Sequence, residues 1–458
     1  MRSASPRINI LIISLAIFME FLDTSILNTA IPSISLAFHI HPIDLKTALI
    51  SYLMSLAIII PISGWLCDYF GLKKLFMIAT LVFTITSLCC GFSQNIYQLI
   101  VFRFLQGLGG ALNFPIARMI IFKTFPKHEY IKKMNVVMML ASIAVVMGPL
   151  IGGLIVEHFS WRWIFWLNIP IGCLNLLLMQ NYLPRYPTHR PYKLDKIGLL
   201  FFAFALSSFL FFISLLSDFE LHFAYSNQIF LFSVICFLLY FIHSRKQRHP
   251  IIDLKLFQNK TFSIGIITGS ISRLALNGFP FLLPIFFQIH LHKSPSLSGF
   301  LILFWALGAI ISRVFNVSIL EFLGFKKSLI INTFFVSAII LSFRYLNLES
   351  PIWMIAGIVL FSGIFSTIQS TYVNAMTFDH VDETNFALST SLFSTIQQVG
   401  MCLGIALCAI FLSVYSEQEV LTAMTFVKTF SSLAIIPLFN LMIFFRLDEQ
   451  TGESLIKR

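Results

Sequence analysis

The stretch "GWLCDYFGLKK", residues 64–74, indicates an internal repeat, because the chain contains a second, related stretch. A degraded copy, "VSILEFLGFKK", occupies residues 317–327 and has Glu321 where the first copy has Asp68. The copies share a glycine and a pair of lysines, so that Gly71, Lys73 and Lys74 correspond to Gly324, Lys326 and Lys327. The offset between the copies is 253 residues, which is more than half of a 458-residue chain. We therefore expect the chain to contain an internal repeat.

Two further landmarks recur at nearly the same offset. "GPLIG" at Gly148 returns as "GMCLG" at Gly400, an offset of 252 residues. "HIH" at His39 returns as "HLH" at His290, an offset of 251 residues. Three landmarks in one order and at one spacing are hard to obtain by chance, so two copies of one structural unit are predicted. Such parallel repeats in membrane proteins place a substrate site near the bilayer midplane, where the copies meet.

The composition indicates that both repeats lie in a lipid bilayer. Of all residues, 57% are hydrophobic and only 11% are charged, whereas about a quarter of the residues of a soluble chain are charged. The apolar residues form fourteen runs of roughly twenty residues, the length that spans a bilayer as a helix. We predict an all-α integral membrane protein with fourteen transmembrane helices. Six belong to each repeat, and spans seven and eight are an insertion between the repeats.

The predicted domain boundaries follow from this arrangement. The N-terminal six-helix repeat covers residues 1–183, and the two-span insertion with its cytoplasmic linkers covers residues 184–260. The C-terminal repeat covers residues 261–447, and residues 448–458 form a cytoplasmic tail. If the N-terminus is cytoplasmic, 22 Lys and Arg residues lie on the cytoplasmic side and five on the other side. Cytoplasmic loops carry this excess, so both termini are expected inside. The net charge of +11 then reflects topology and does not indicate nucleic-acid binding.

Polar residues inside the spans are the candidates for function, because a charge at mid-bilayer costs about 2.5–3.5 kcal/mol on insertion scales. Glu20 and Asp23 are the acids in the interior of a predicted span, and their spacing puts both on one face of span one. Two spans carry polar stripes at helical spacing, and span twelve carries weaker candidates. The stripes are Arg103, Gln106, Gly110 and Asn113 in span four, and Arg273, Asn277, Pro280, Pro284 and Gln288 in span nine; the weaker candidates are Gln369, Tyr372 and Asn374.

Five segments carry a family resemblance: "LDTSILNTAIP", "GWLCDYFGLKK", "RFLQGLGGALNFP", "GPLIGGLI" and "WRWIFWLNIPIG". Together and in this order they resemble the signature motifs of the major facilitator superfamily, and in particular its fourteen-span drug:proton antiporter branch of the EmrB/QacA type. The resemblance implies the major facilitator fold, with spans one, four, nine and twelve lining a central cavity. The polar stripes are then expected to face the substrate path.

The resemblance also implies a role for two glycine-containing motifs. The turn after span two is a gate motif, formed by Gly64, Asp68, Gly71, Lys73 and Lys74, with Glu321, Lys326 and Lys327 as its repeat counterpart. Tyr69 and Leu72 stand where arginines are common in the family, so the gate network should be weaker here, and the turn is alternatively a topology signal alone. The second motif resembles the antiporter signature in span five, and a simple packing role is its alternative. Its residues are Gly148, Pro149, Gly152 and Gly153.

The two acids of span one are candidates for proton coupling. Burial favours a protonated carboxyl group, and a nearby cation favours the carboxylate. We hypothesise that Asp23 alternates between a pair with Arg103 and a protonated state, with Glu20 as a second proton site or a contact for a cationic group. The alternative is a fixed Asp23–Arg103 ion pair that holds two helices together.

The function predicted from these features is proton-coupled export of small organic compounds by alternating access in the inner membrane, with multidrug or amphipathic substrates as the family default. Because the intramembrane arginines outnumber the acids, an organic anion or a metal–carboxylate chelate is the alternative substrate; a facilitator or importer on the same fold is less favoured. No enzymatic activity, cofactor or metal site is expected. The expected partners are the bilayer, protons and a small-molecule substrate. A periplasmic adaptor is left open, and a monomer is expected otherwise.

Overall fold

The structure is a computed structural model that describes residues 6–126, 129–186, 193–216, 223–247, 250–252, 254–378, 386–416 and 420–447. Fourteen helices in these ranges are long and apolar enough to cross a membrane, as predicted. In chain order, spans 1 to 14 are Arg7–Phe38, Pro42–Phe70, Leu72–Gly91, Ile96–Thr124, Lys132–His158, Trp163–Tyr182, Lys196–Leu215, Tyr225–Ser244, Lys260–His290, Pro295–Asn316, Phe325–Tyr345, Ile352–Phe378, Ser389–Tyr415 and Ala423–Phe444.

Polar residues fix the starts of several spans. Asn95 precedes span 4, and its side-chain oxygen accepts a hydrogen bond of 2.9 Å from the backbone N–H of Gln98. Asn259 caps span 9 in the same way, and Ser294 caps span 10. Each cap satisfies one backbone donor that the first helical turn leaves without a partner. The polar residues between the apolar runs therefore set the helix ends.

The repeated turn has the same backbone geometry in both copies. Gly71 separates spans 2 and 3 with φ 78°, and Gly324 precedes span 11 with φ 74°. A side chain disfavours this left-handed region, and glycine adopts it readily. Outside these glycines, His39 and His292 are the described residues with positive φ. The glycine shared by the two sequence copies thus makes the same sharp change of direction twice.

The chain divides into two compact units, one of Met1–Phe212 with Asn227–Ile251 and the other of Ile213–Ser226 with Ile252–Arg458. In the first unit, span 1 packs on span 5, span 4 packs on spans 2 and 3, and span 3 packs on span 6. In the second unit, span 9 packs on span 13, span 12 packs on spans 10 and 11, and span 11 packs on span 14. The helix pairs of one unit therefore recur in the other, as an internal repeat requires. The boundaries predicted at residues 183 and 260 remain a prediction.

Span 9 is interrupted near its middle. Its first α-helical segment, Lys260–Leu276, ends where the backbone N–H of Asn277 donates to the carbonyl of Arg273 at 2.9 Å. The helix resumes as Phe279–Ile285 and continues as a π-helical segment, Phe286–His290. Interrupted helices and π-segments in membrane proteins frequently mark functional positions. The interruption places Arg273 one turn before a break in the helix.

Candidate functional site

The first unit contains an ion pair that is buried between two of its helices. Arg103 of span 4 donates from Nη1 to Oδ2 of Asp23 in span 1 at 2.5 Å. Both side chains are 1% exposed. A buried charge is tolerated when it is paired and hydrogen-bonded, and each of these residues supplies the counter-charge of the other. The structure thus brings together the two residues that the sequence singled out for proton coupling.

Two amides complete the shell around the Asp23 carboxylate. Gln106 lies one turn after Arg103, accepts from Arg103 Nη1 at 2.7 Å and donates to Asp23 Oδ1 at 2.9 Å. Asn168 of span 6 donates to the same Oδ1 at 2.8 Å and to the hydroxyl of Ser87 in span 3 at 3.0 Å. The Ser87 hydroxyl donates in turn to the carbonyl of Phe165. Asp23 is therefore held by residues of spans 4 and 6, and span 3 supports the shell.

Tyr52 of span 2 covers the guanidinium. The Cζ atom of Arg103 lies 4.3 Å from the centre of the Tyr52 ring, within the range of a cation–π contact. Such contacts contribute about 2 kcal/mol when they are desolvated, as this one is. Arg103 Nε has no hydrogen-bond partner in the described part of the chain. The arginine is thus held by a carboxylate, an amide and an aromatic face while one donor stays unused.

Glu20 is buried beside this network but does not join it. Asn113 of span 4 is its polar neighbour, and the Tyr52 hydroxyl lies against Gly110, one turn before Asn113. Glu20 Oε2, both polar atoms of the Asn113 amide and the Tyr52 hydroxyl are buried without hydrogen-bond partners among the described residues. Unsatisfied buried polar groups are costly, so this cluster can donate to or accept from a bound molecule.

The span-5 glycines let span 5 approach span 1 closely. A Cβ atom at Gly148 would lie 2.6 Å from the Ser25 Cβ. A Cβ atom at Gly152 would lie 2.6 Å from the carbonyl oxygen of Ile26 and 2.4 Å from the Thr29 hydroxyl. Pro149 and Gly153 belong to the same helix. The motif therefore packs on the segment that follows Asp23, as small residues do between membrane helices.

The gate motif has one well-defined interaction within the first unit. Lys73 donates from Nζ to the carbonyls of Gln180 and Leu183, at 2.9 and 2.7 Å. These carbonyls lie at the C-terminal end of span 6, where a cation is favourable. Asp68 is half-buried and Lys74 is exposed at this turn. In the second unit Glu321 and Lys327 are exposed and Lys326 is half-buried.

The buried arginine of the second unit has a different environment. Arg273 donates from Nη2 to Oδ1 of Asn374 in span 12 at 3.1 Å. Its Cζ lies 4.9 Å from the centre of the Phe393 ring of span 13. Gly400 of span 13 passes alongside, since a Cβ atom there would be 3.0 Å from Arg273 Cδ. Asn277 ends the helical segment one turn later and is half-buried. The structure therefore brings Arg273 and Asn374 together.

The other span-12 candidates are engaged in helix packing. The oxygen of the buried Gln369 amide accepts from Asn332 of span 11 at 2.8 Å, and its nitrogen donates to Thr333 at 3.3 Å. The Tyr372 hydroxyl donates to the carbonyl of Asn316 in the helix of span 10 at 2.8 Å. These contacts give both side chains a structural role in the second unit.

Sequence reasoning missed three residues around Asp23. Asn168 lies within the quoted "WRWIFWLNIPIG" motif and is an amide in an apolar span, which is the signal that could have identified it. Tyr52 is a tyrosine in an apolar helix and gives a weaker signal. Ser87 gives none, because serine is readily accommodated in membrane helices. Only the packing of the helices brings Asn168 to Asp23, Tyr52 to Arg103 and Ser87 to Asn168.

Comparison with known proteins identifies the family. The model of the Major Facilitator Superfamily matches residues 13–405 and 265–457. The chain is 31% identical to a putative multidrug resistance protein MdtD of Pectobacterium carotovorum subsp. carotovorum (strain PC1), over 98% of each chain. It is 29% identical to the MdtD protein of Shigella boydii serotype 4 (strain Sb227), over 98% of this chain and 96% of that protein.

Solved structures share the fold at lower identity. A peptide transporter POT in complex with sulfate is 14% identical, with a TM-score of 0.70 over 96% of this chain and 94% of that chain. The nucleoside transporter NupG is 12% identical, with a TM-score of 0.64 over 96% of this chain and 100% of that chain. With fourteen membrane helices, a repeated helix arrangement and a family match along nearly its whole length, this chain belongs to the major facilitator superfamily of membrane transporters.

Proposed function

We propose that this transporter is a proton-coupled exporter of small organic compounds and that Asp23 carries the proton. The observation that supports this is the Asp23 carboxylate, buried between Arg103, Gln106 and Asn168. In this proposal Asp23 alternates between the carboxylate that pairs with Arg103 and a protonated form, which removes the charge that Arg103 neutralises. The arginine then requires another partner, and helix rearrangement supplies one. This links protonation to conformation, as alternating access requires.

The proposed coupling is antiport. Protons enter from the outside down their gradient, load Asp23 and are released inward while the substrate moves outward; both termini are proposed to lie in the cytoplasm. The close packing of span 5 on the segment after Asp23 connects the protonation site to a helix–helix interface. The inner membrane is the proposed location, and a monomer is the proposed working unit, with a periplasmic adaptor left open.

Amphipathic compounds of the multidrug type are the proposed substrates. The MdtD relatives carry multidrug resistance in their names. Next to the proposed proton site, Glu20, Asn113 and Tyr52 have polar atoms without hydrogen-bond partners in the described structure. An aromatic ring, an amide and an acid together suit a compound with an apolar body and a polar or cationic group. These three residues are proposed to contact the substrate, with Glu20 as a secondary proton site.

The test is gradient-driven transport in inverted membrane vesicles. We expect Asp23→Asn to abolish uptake of ethidium into the vesicles when a proton gradient is imposed, while ethidium binding to the purified protein persists. In wild type, ethidium binding should release protons from detergent-solubilised protein, and this release should be absent in Asp23→Asn. The matched control is Asp195→Asn, since Asp195 is a buried acid that pairs with His243 outside the Asp23 network.

Two results would separate the alternatives. Normal gradient-driven transport by Asp23→Asn would refute the assignment of the proton site. Unchanged proton release in Asp23→Asn together with its loss in Glu20→Gln would move the site to Glu20. A protein that no longer folds in the Asp23→Asn variant, but folds when Arg103 is replaced as well, would support the fixed ion pair as a structural element.

A further inference from the structure

Arg273 is a buried cation without a counter-charge in the described part of the second unit. It lies near the middle of span 9 and is 8% exposed. Ion pairs such as Arg103–Asp23 and His243–Asp195 occur among the described residues, but Arg273 takes part in none. Its protein partners there are the oxygen of a neutral amide, on Asn374, and the ring of Phe393. The first unit neutralises its buried Arg103 with a carboxylate, whereas the acceptor that Arg273 has among the described residues is neutral.

One end of the guanidinium is also free of hydrogen bonds. Arg273 Nη1 is buried and has no partner in the described structure. Gly269, one turn earlier, lets this nitrogen lie close to the helix backbone, since a Cβ atom there would lie 2.8 Å from it. A charged donor that is buried without an acceptor is unfavourable. An arginine offers its donors in a planar fork that fits a carboxylate or a phosphate.

We propose that Arg273 binds an acidic group of the transported compound, and that this group is an organic carboxylate. The inference rests on the proposed transport function and adds amphipathic carboxylates to the proposed substrates, beside cations such as ethidium. The Phe393 ring lies 4.9 Å from the guanidinium, so an apolar or aromatic body attached to the carboxylate finds an apolar surface there. The position near the middle of the span argues against an anionic lipid headgroup, which lies at the membrane surface.

Matched acid and amide ligands test the charge of the ligand directly. Binding of benzoate and 1-naphthoate to the purified full-length protein is measured by calorimetry without a proton gradient, beside benzamide and 1-naphthamide. We expect wild type to bind at least one acid roughly tenfold more tightly than its amide, the lower range for a hydrogen bond to a charged group. Equal affinity for acid and amide in both pairs would overturn the proposal.

Three variants locate the acid-binding group. Arg273→Gln should lose the preference for the acid and keep its affinity for the amide, which also reports that the protein is folded. Arg273→Lys keeps the charge and should retain part of the preference. The control Arg313→Gln removes another arginine, one in the span-10 helix with an exposed side chain, and should bind both ligands like wild type. Acid binding by Arg273→Gln at the wild-type level would refute the site.

A fourth variant supplies the missing counter-charge from the protein. Asn374→Asp would place a carboxylate where the amide oxygen now lies, 3.1 Å from Arg273 Nη2. If the guanidinium binds the ligand's carboxylate, this internal acid competes with it and should lower acid affinity roughly tenfold without changing amide affinity. An unchanged acid affinity in Asn374→Asp would contradict the proposal.

These binding measurements test the Arg273 site whether or not Asp23 is the proton site. Loss of gradient-driven transport in Asp23→Asn with acid binding intact would support both inferences. Normal transport in Asp23→Asn with acid binding dependent on Arg273 would overturn only the coupling assignment. Intact coupling with no preference for acids would leave an exporter whose substrate is neutral or cationic.

Discussion

Replacing Gly152 by alanine should impair both the stability of the protein and its transport activity. The new Cβ atom would lie 2.6 Å from the carbonyl oxygen of Ile26 and 2.4 Å from the Thr29 hydroxyl. Ordinary van der Waals contact begins at 3.4 Å, so the backbone of span 1 would have to move away by about 0.8 Å. A side chain could rotate out of the way, but a carbonyl in a helix cannot. The clash therefore separates spans 1 and 5.

The size of the effect depends on the cost of overpacking and on the position of Asp23 in span 1. Overpacking in a close-packed interior typically costs about 1–3 kcal/mol, which should lower the apparent melting temperature by roughly 2–4 °C per kcal/mol. Asp23 lies one turn before Ile26, and its shell is built from bonds of 2.5–2.9 Å. A displacement approaching 1 Å disrupts such geometry, and misplacements of that size can reduce rates about 100-fold. We expect transport to fall by roughly tenfold to 100-fold.

The assay compares Gly152→Ala with Gly357→Ala, in vesicle transport and in thermal unfolding of the purified protein. Gly357 of span 12 is the matched control, because a Cβ atom there has no neighbour within 4 Å. Adding Thr29→Ala to Gly152→Ala removes the shortest of three contacts below 3.0 Å, the one with the Thr29 hydroxyl, and should restore part of the stability. If Gly152→Ala transports and unfolds like Gly357→Ala, span 5 does not need close contact with span 1, and the steric argument is wrong.

Three further predictions concern other parts of the chain. Reporter fusions after Lys193 and after Arg248 should both report a cytoplasmic location, and an external signal from either would disprove the two-span insertion. Asp68→Asn should reduce vesicle transport while membrane expression stays at the wild-type level; normal transport would reduce the gate motif to a topology signal. Gln369→Leu should lower the melting temperature of the purified protein, because it removes the oxygen that accepts a 2.8 Å hydrogen bond from the buried Asn332 amide. The expected loss of stability is about 1–3 kcal/mol. An unchanged melting temperature would show that this hydrogen bond contributes nothing to stability.

The sequence alone was sufficient to predict the membrane architecture. A bilayer requires about twenty apolar residues for each helical crossing, so the number of spans can be read from local composition. The repeat was equally visible, because it rests on residues that a backbone feature requires. Gly71 and Gly324 have positive φ in both copies, and glycine is the residue that adopts this conformation without strain. The family was also evident, since its motifs lie in continuous segments.

The candidate site was predictable only where helical spacing or charge made residues conspicuous. Asp23 and Arg103 stood out because isolated charges in apolar spans need partners, and the structure pairs them. Within one helix, the spacing of Arg103 and Gln106 indicated a common face, and both contact Asp23. For Gln369 the same reasoning could not reveal its hydrogen bond with Asn332 of the neighbouring helix, and its place in the substrate cavity stays a prediction.

Which polar groups have hydrogen-bond or ion-pair partners could be seen only in the tertiary structure. Asn168 contacts Asp23 across 145 residues of chain, and no local pattern encodes such a contact. The sequence presents Arg103 and Arg273 as similar arginines in apolar spans. The fold gives the first a carboxylate and leaves Nη1 of the second without an acceptor in the described structure. The physical reason is that local composition determines which segments enter the membrane, whereas the partner of a buried charge depends on which helices pack together and at what rotation.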